Sequence, residues 1–332
     1  MPRVSVIISN FNGARFLPRL FESLRGQRGI ETEIIVVDRQ STDGSKAILA
    51  NEIGLKVISE PPESGLVAGY HAGSAHATAD LLFFCNEDMW FDPDCLLRLA
   101  ERIDLTARVG AADPWQWTYD GSEWIHGGTR FLPSAWALNS PEPRRAADFR
   151  VPLKAGDTIP FPCAGAALIH RDVYRELGGW DTSFFLDHED TDLFLRAWQR
   201  GWKSVVVPEA KVYHAVNASN VQTLVSIQVT VSHRRYVSQR ANLGVIALKY
   251  FSWRALPLAA LNWPAVVLNN LAKGRWEFLM WDLQVLGELV RRLPAAWQFR
   301  KANTGYNHYF PGEQFFRVPE FSEAVRNGPV PR

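Results

Sequence analysis

Leu81-Leu82-Phe83-Phe84-Cys85-Asn86-Glu87-Asp88 is an apolar run that ends abruptly in acid. A short apolar run bounded by polar residues reads as a buried strand. In an open α/β sheet, ligands bind just outside the carboxyl ends of the strands. Asp88 then stands at a crevice with an apolar strand beneath it, where a carboxylate is costly unless it is paired or binds a cation. The competing reading is a helix N-cap. Asp92-Pro93-Asp94, however, already offers a cap and a first-turn proline to the helix that follows.

Upstream, the chain alternates in kind. Val4 to Ile8 is a strand candidate, and Phe16, Leu17, Leu20, Phe21 and Leu24 follow at helical spacing. Ile34 to Val37 is a second strand ending at Asp38. Ser45 to Ile53 reads as a helix with Asp43-Gly44-Ser45 as its turn and cap. Leu55 to Ile58 is a third strand and Gly65 to Ala77 a small-residue helix. This βαβαβαβ series implies an α/β fold with a mostly parallel, doubly wound sheet.

Downstream, the stretch from about Gly110 to Ala218 is less regular. Pro133 to Ile159 is rich in Pro, Ala and charge and reads as loop. Ala164 to His170 reads as a strand, and Asp172 to Leu177 as a helical turn closed by Gly178-Gly179. Asp192 to Arg200 reads as an amphipathic helix. Ser204 to Val207 reads as a strand closed by Pro208. From Asn220 the pattern is helical until about Arg300. The expected division is an α/β unit over 1–218, with halves 1–109 and 110–218, and a C-terminal helical extension over 219–332.

Composition excludes several classes. The chain has 332 residues, 47% hydrophobic and 21% charged, an ordinary globular balance for one large domain with additions or for two domains. A net charge of +1 supplies no long-range field for nucleic acid. Three cysteines, Cys85, Cys95 and Cys163, have neither metal nor disulfide spacing and fit a reducing cytoplasm. The strand pattern begins too close to the start to leave room for a signal peptide.

Four polar spots fall at strand ends or helix starts: Asp38, Asp88, the cluster Asp187-His188-Glu189-Asp190-Thr191-Asp192, and His214. Each alone has a plain reading as a turn cap, a first-turn acid or a core histidine. Together with Val4–Asn12, Val36–Ser45, Gly165–Ile169, Gly178-Gly179-Trp180-Asp181, Glu189–Arg196 and Val207-Pro208, they resemble a family 2 glycosyltransferase of the GT-A fold, in a pattern similar to bacterial rhamnosyltransferase-like enzymes.

That resemblance implies an inverting, metal-dependent transfer of one sugar from a nucleotide donor, of UDP or dTDP type, to a glycan or lipid-linked acceptor in cell-surface polysaccharide synthesis. The family's DxD motif falls on Asn86-Glu87-Asp88. Asn in its first position leaves Asp88 as the direct ligand of Mn²⁺ or Mg²⁺, with His214 at a second metal-contacting position. Manganese tolerates a histidine better than magnesium does. Asp38 matches the residue that holds the base or ribose. Asn10, Ser41, Asp43, Gly65, Asn86 and Glu87 line the same donor pocket. The general base maps to Asp190, with Glu189 as its rival and Asp192 in a structural role. Tyr70 and His71 depart from the family pattern, which often has Asn there, and Arg39-Gln40 is an unusual pair.

Leu256 to Leu271 is apolar but short for a spanning helix and interrupted by Pro257 and Pro264. Trp253, Trp263, Trp276 and Trp281 punctuate it, and Lys249, Arg254, Lys273 and Arg275 flank it. Two readings stay open: packing on protein, including a homo-oligomer, or peripheral contact at the inner face of the cell membrane. A dinucleotide-binding dehydrogenase is disfavoured by the single glycine after the first strand. A processive synthase would need long apolar spans that are missing here. A non-catalytic module that binds a sugar nucleotide or glycan is the remaining rival.

Overall fold

A computed structural model describes residues 1–127, 154–159, 161–215, 233–250, 256, 264 and 267–303. Its sheet is built on strand β1 (Arg3–Asn10), which pairs in parallel with β2 (Glu31–Asp38) and β4 (Leu81–Asn86). β3 (Leu55–Ser59) adds in parallel to the outer edge of β2. Alternation along β1 sends Val4, Val6 and Ile8 to one face and Ile7 to the other, where each enters a different apolar core. Helices α1 (Leu17–Arg25), α2 (Ser45–Asn51) and α3 (Gly65–Ser74) are the crossovers that parallel pairing requires.

Beyond β4 the sheet becomes mixed. Its order is β3-β2-β1-β4-β9-β6-β10-β5, where β9 (Ala166–His170) is antiparallel to both neighbours, β6 is Val109–Thr118, β10 is Lys203–His214 and β5 is Met89–Phe91. Three elements lay hidden between Met89 and His126: β5 (Met89–Phe91), β6 (Val109–Thr118) and β7 (Trp124–His126). They are short, or interrupted by Asp113-Pro114, so neither strand period emerges from the sequence. β8 (Thr158–Ile159) is the described end of the stretch expected as loop; residues 128–153 and 160 lie outside the described set.

Two boundaries need correction. Pro208 does not close the strand at Val207: β10 runs from Lys203 to His214. Its register against β6 shifts between Val207 and Lys211, so the proline falls where the ladder is already broken. His214 therefore ends a strand. The helix expected from Asp192 starts three residues earlier, as α6 (Glu189–Gln199), which puts Glu189 and Asp190 in its first turn. A third correction concerns α4 (Cys95–Ala100). Asp94 is its N-cap residue but makes no side-chain capping bond, and Asp92 instead accepts the Tyr213 hydroxyl at 2.9 Å.

After α5 (Arg171–Glu176), the core on the α3 and α6 side closes with the C-terminal helices α7 (His233–Tyr250) and α8 (Glu277–Ala302). Val245, Ile246 and Tyr250 share that core with Ile7, Phe84 and Tyr70. Tyr236 packs on Phe278 and Trp281, and Tyr250 on Phe299, so α7 and α8 run side by side in the same direction.

Candidate active site

The carboxyl ends of β1, β2, β4 and β10 carry the chemistry. At the first two, Asn10 and Asp38 are opposite one another in register. The Asn10 amide donates to Asp38 Oδ1 at 2.8 Å and to Ser41 Oγ at 3.1 Å, and Ser41 Oγ donates to Asp38 Oδ1 at 2.6 Å. The three side chains are nearly inaccessible and form one rigid knot. Asn10 Oδ1 keeps no protein partner. Asp43 is committed differently: it accepts the Ser45 hydroxyl and the N–H groups of Ser45 and Ala14. Burial alone would raise its pKa, but those hydrogen bonds prevail and lower it. Asp43 thus secures the turn into α2.

Gly65 opens α3 at φ +83°, and a Cβ there would lie 2.4 Å from the Phe185 ring. Only glycine meets both conditions. Gly13 is equally constrained by space, since a Cβ would meet Asn10 Oδ1 at 2.4 Å and Glu87 Cγ at 2.6 Å.

At the end of β4, the Tyr70 hydroxyl donates to Asn86 Oδ1 at 2.7 Å and lies 3.2 Å from the Ala164 carbonyl. Tyr70 stands where the family often has Asn, and its ring is fully buried. With its carbonyl taken, Asn86 keeps its amide N–H groups for a ligand and is poorly placed to ligate a cation. Burial and the neighbouring Asp88 push the Glu87 carboxyl up to about 7, against the pull of Arg39. Arg39 in turn lies over the Phe11 ring at 5.1 Å.

Asp88 Oδ1 lies 3.2 Å from His214 Nε2, and His214 Nδ1 lies 3.2 Å from Gln116 Oε1. A protonated ring would donate to both partners; in the neutral ring, with Gln116 as acceptor, the proton lies on Nδ1 and the Nε2 lone pair faces the carboxylate. Two acceptors then oppose each other, an arrangement that a cation between them resolves. A second partner that fixes the imidazole tautomer is the usual support of a metal-binding histidine. The donor set therefore fits a divalent ion. Among the described residues, no group of three or more ligating side chains converges. Such a site would be completed by ligand oxygens and water, as is common for Mg²⁺.

Asp187 and His188 both have positive φ, 67° and 66°. Non-glycine residues in this region store strain of order 1–3 kcal/mol each and concentrate at functional sites. The strained pair is held from α7. Arg235 forks onto the Asp187 carboxylate at 3.1 and 3.2 Å, and Asn242 donates to the carbonyls of Leu186 and Asp187. Asp190 accepts the Thr191 N–H at 2.6 Å and the Ala164 N–H at 3.3 Å. A helix start would lower the pKa of Asp190, but burial outweighs His188 and these N–H bonds and raises it. Burial, Asp190 and Asp187 push the Glu189 carboxyl well above its ordinary value. Asp192 is structural: it is fully buried and bound by Arg196, Lys249 and Tyr250. Those cations, overcoming burial, bring it down to about 2.

Sequence reasoning missed Gln116, Arg235 and Asn242. Gln116 was hidden because β6 was. The other two belong to a helix with no motif, and nothing local links them to the strained loop.

A profile of glycosyl transferase family 2 matches residues 5–178. The chain belongs to glycosyl transferase family 2. EpsE of Bacillus subtilis (strain 168), whose own naming as a glycosyltransferase is provisional, is 26% identical over 280 residues, covering 82% of this chain and 94% of that protein. The N-acetylglucosaminyl-diphospho-decaprenol L-rhamnosyltransferase of Mycobacterium tuberculosis (strain ATCC 25618 / H37Rv) is 24% identical over 234 residues, 63% of this chain and 75% of its own. Among solved structures, the mannosyltransferase PcManGT from Pyrobaculum calidifontis, in complex with GDP-Man and Mn²⁺, superposes with a TM-score of 0.53. It is 18% identical, over 88% of this chain and 87% of its own. The family makes the chain a glycosyltransferase, and the structural likeness makes the fold GT-A.

Proposed function

We propose that the protein is an inverting, cation-dependent glycosyltransferase that moves one sugar from a UDP- or dTDP-sugar to a glycan or lipid-linked saccharide. The observation that carries this reading is a bridge. The Tyr70 hydroxyl contacts both Asn86, at the acidic strand end, and the carbonyl of Ala164, whose own N–H binds Asp190. This bridge supports a reading in which Asn86 marks the diphosphate side and Asp190 the acceptor side of one transfer site.

In this reading Asp38, Asn10 and Ser41 hold the nucleoside. Gly65, which gives Phe185 its room, opens α3 beside the donor pocket, which Asn86 and Glu87 also line. Asp88 and His214 would hold Mn²⁺ or Mg²⁺, and the bound ion would neutralise charge on a departing diphosphate. Asp190 takes the proton of the acceptor hydroxyl. The acceptor oxygen bonds the anomeric carbon on the face opposite the bond to phosphate, which breaks, and configuration inverts. Glu189 is buried while Asp190 is partly accessible, so Asp190 is the better placed of the two to meet an acceptor. The curated relative that transfers rhamnose to a diphospho-decaprenol saccharide supports a lipid-linked acceptor.

A panel of sugar nucleotides with Mn²⁺ and saccharide acceptors tests the reading. Turnover by the native chain and nucleotide binding without turnover by Asp190→Asn are expected. Binding with no turnover under any donor would instead indicate a sugar-nucleotide-binding module.

A further inference from the structure

α8 presents three different sectors. Asp282, Val285, Arg292 and Ala296 are buried against the rest of the molecule. Tyr236 donates to Asp282, and Arg292 donates to Asn242. A second sector is polar, with Glu277, Gln284, Glu288 and Arg291. The third is apolar and open to solvent: Trp276 (66% exposed), Met280 (60%), Val290 (57%) and Leu283 (53%), with Leu279, Leu286, Leu293 and Trp297 beside them. At about 100° per residue these eight side chains span an arc of roughly 140° along the whole helix. Scattered exposed leucines need no explanation, but a continuous stripe of this kind marks a binding surface.

Charge is sorted around the stripe. Lys273 and Arg275 precede it, and Lys301 follows, its ammonium 5.8 Å from the Trp297 ring. Arg291 lies on the near edge of the polar sector, while Glu277 and Glu288 lie on the far edge. The adjoining α7 carries no carboxylate; its Arg235 and Lys249 are spent on Asp187 and on Asp181 and Asp192, which leaves Arg234 and Arg240 as its outer cations. Tryptophans at both ends, aliphatic residues between them and cations at the border match an anionic lipid surface. A second copy of the chain fits less well. Self-pairing along the stripe by a two-fold axis sets one cation-bordered edge against another. Among the described residues, no helix is long and apolar enough to cross a membrane, so the contact is in-plane.

We infer that the exposed face of α8 lies on an anionic lipid bilayer. The start of α8 lies close to the loops of the candidate site. Tyr236, beside the start of α8, is two residues after Arg234, which packs over Phe185 at 3.6 Å and donates to the Glu63 carbonyl at the mouth of the donor pocket. The inference is independent of the catalytic reading, since binding to vesicles requires no turnover.

Vesicle flotation of the full chain tests it. The native protein floats at least 10-fold more with vesicles of equal phosphatidylglycerol and phosphatidylcholine than with phosphatidylcholine alone, at low salt. Leu283→Asp with Val290→Asp cuts flotation at least 10-fold. Lys273→Glu with Lys301→Glu cuts it several-fold with the apolar stripe intact, and supports the inference even if the first variant misfolds. Nucleotide affinity is unchanged in both. No flotation at low salt, or equal flotation with neutral vesicles, would overturn it. So would a native dimer in sedimentation that the Leu283 and Val290 changes dissociate.

Discussion

Tyr70 and Asp190 show how single side chains set this site. Tyr70→Phe removes one hydroxyl and frees both Asn86 Oδ1 and the Ala164 carbonyl. A loss of about 1 kcal/mol in stability is expected from chemical denaturation, the ordinary net worth of a buried hydrogen bond. Donor affinity should fall with it, as Asn86 loses its orientation. Asp190→Asn keeps the size of the side chain and removes the base. Expected is a fall in kcat of about 10²- to 10⁴-fold, with nucleotide affinity within about threefold by calorimetry. Because burial raises the Asp190 carboxyl, the acid limb of kcat should lie above the ordinary aspartate value of 3.8. A limb at or below it would contradict the assignment.

The elements explain what was legible beforehand and what was not. The parallel half of the sheet was readable because β1, β2 and β4 are continuous apolar runs that end in Asn10, Asp38 and Asn86. Their ends are where a doubly wound sheet gathers its ligands. β6 and the second half of β10 were not readable, since Asp113-Pro114 and Pro208 interrupt each run while a register shift absorbs the irregularity. Gln116 and the strand-end position of His214 were lost with them. The role of α7 was invisible for another reason: its contacts are long-range. Lys249 Nζ reaches Asp181 at 2.6 Å and Asp192 at 2.8 Å, deep in the core. Lys249→Met leaves both carboxylates without that cation and should cost about 3–5 kcal/mol. The same cluster sets an acid limit. Asp192 is held at about 2 in the folded protein against an ordinary 3.8, so its contribution is present above pH 4 and lost as pH falls toward 2. Asp181 is lowered too and adds in the same direction. Acid titration of stability should show this loss, and Lys249→Met should flatten it.

At the scale of the molecule, the catalytic sheet and the C-terminal helices share one core. Val245, Ile246 and Tyr250 pack with Phe84 and Tyr70, and Arg235 and Asn242 hold the strained residues before α6. A fragment ending at residue 218 would expose that core and release the loop that presents Asp190. It should therefore lack a cooperative thermal transition. A folded fragment with native nucleotide affinity would show instead that α7 is dispensable. The central claim, however, is that Asp88 and His214 hold the cation that holds a diphosphate. Calorimetric titration of UDP and dTDP into the protein, with and without Mn²⁺, tests it most directly. Binding of at least one of the two at least tenfold tighter with Mn²⁺, with the gain abolished in Asp88→Asn and in His214→Ala, is the predicted result. Equal affinity with and without Mn²⁺, or a full Mn²⁺ gain in both variants, would contradict it.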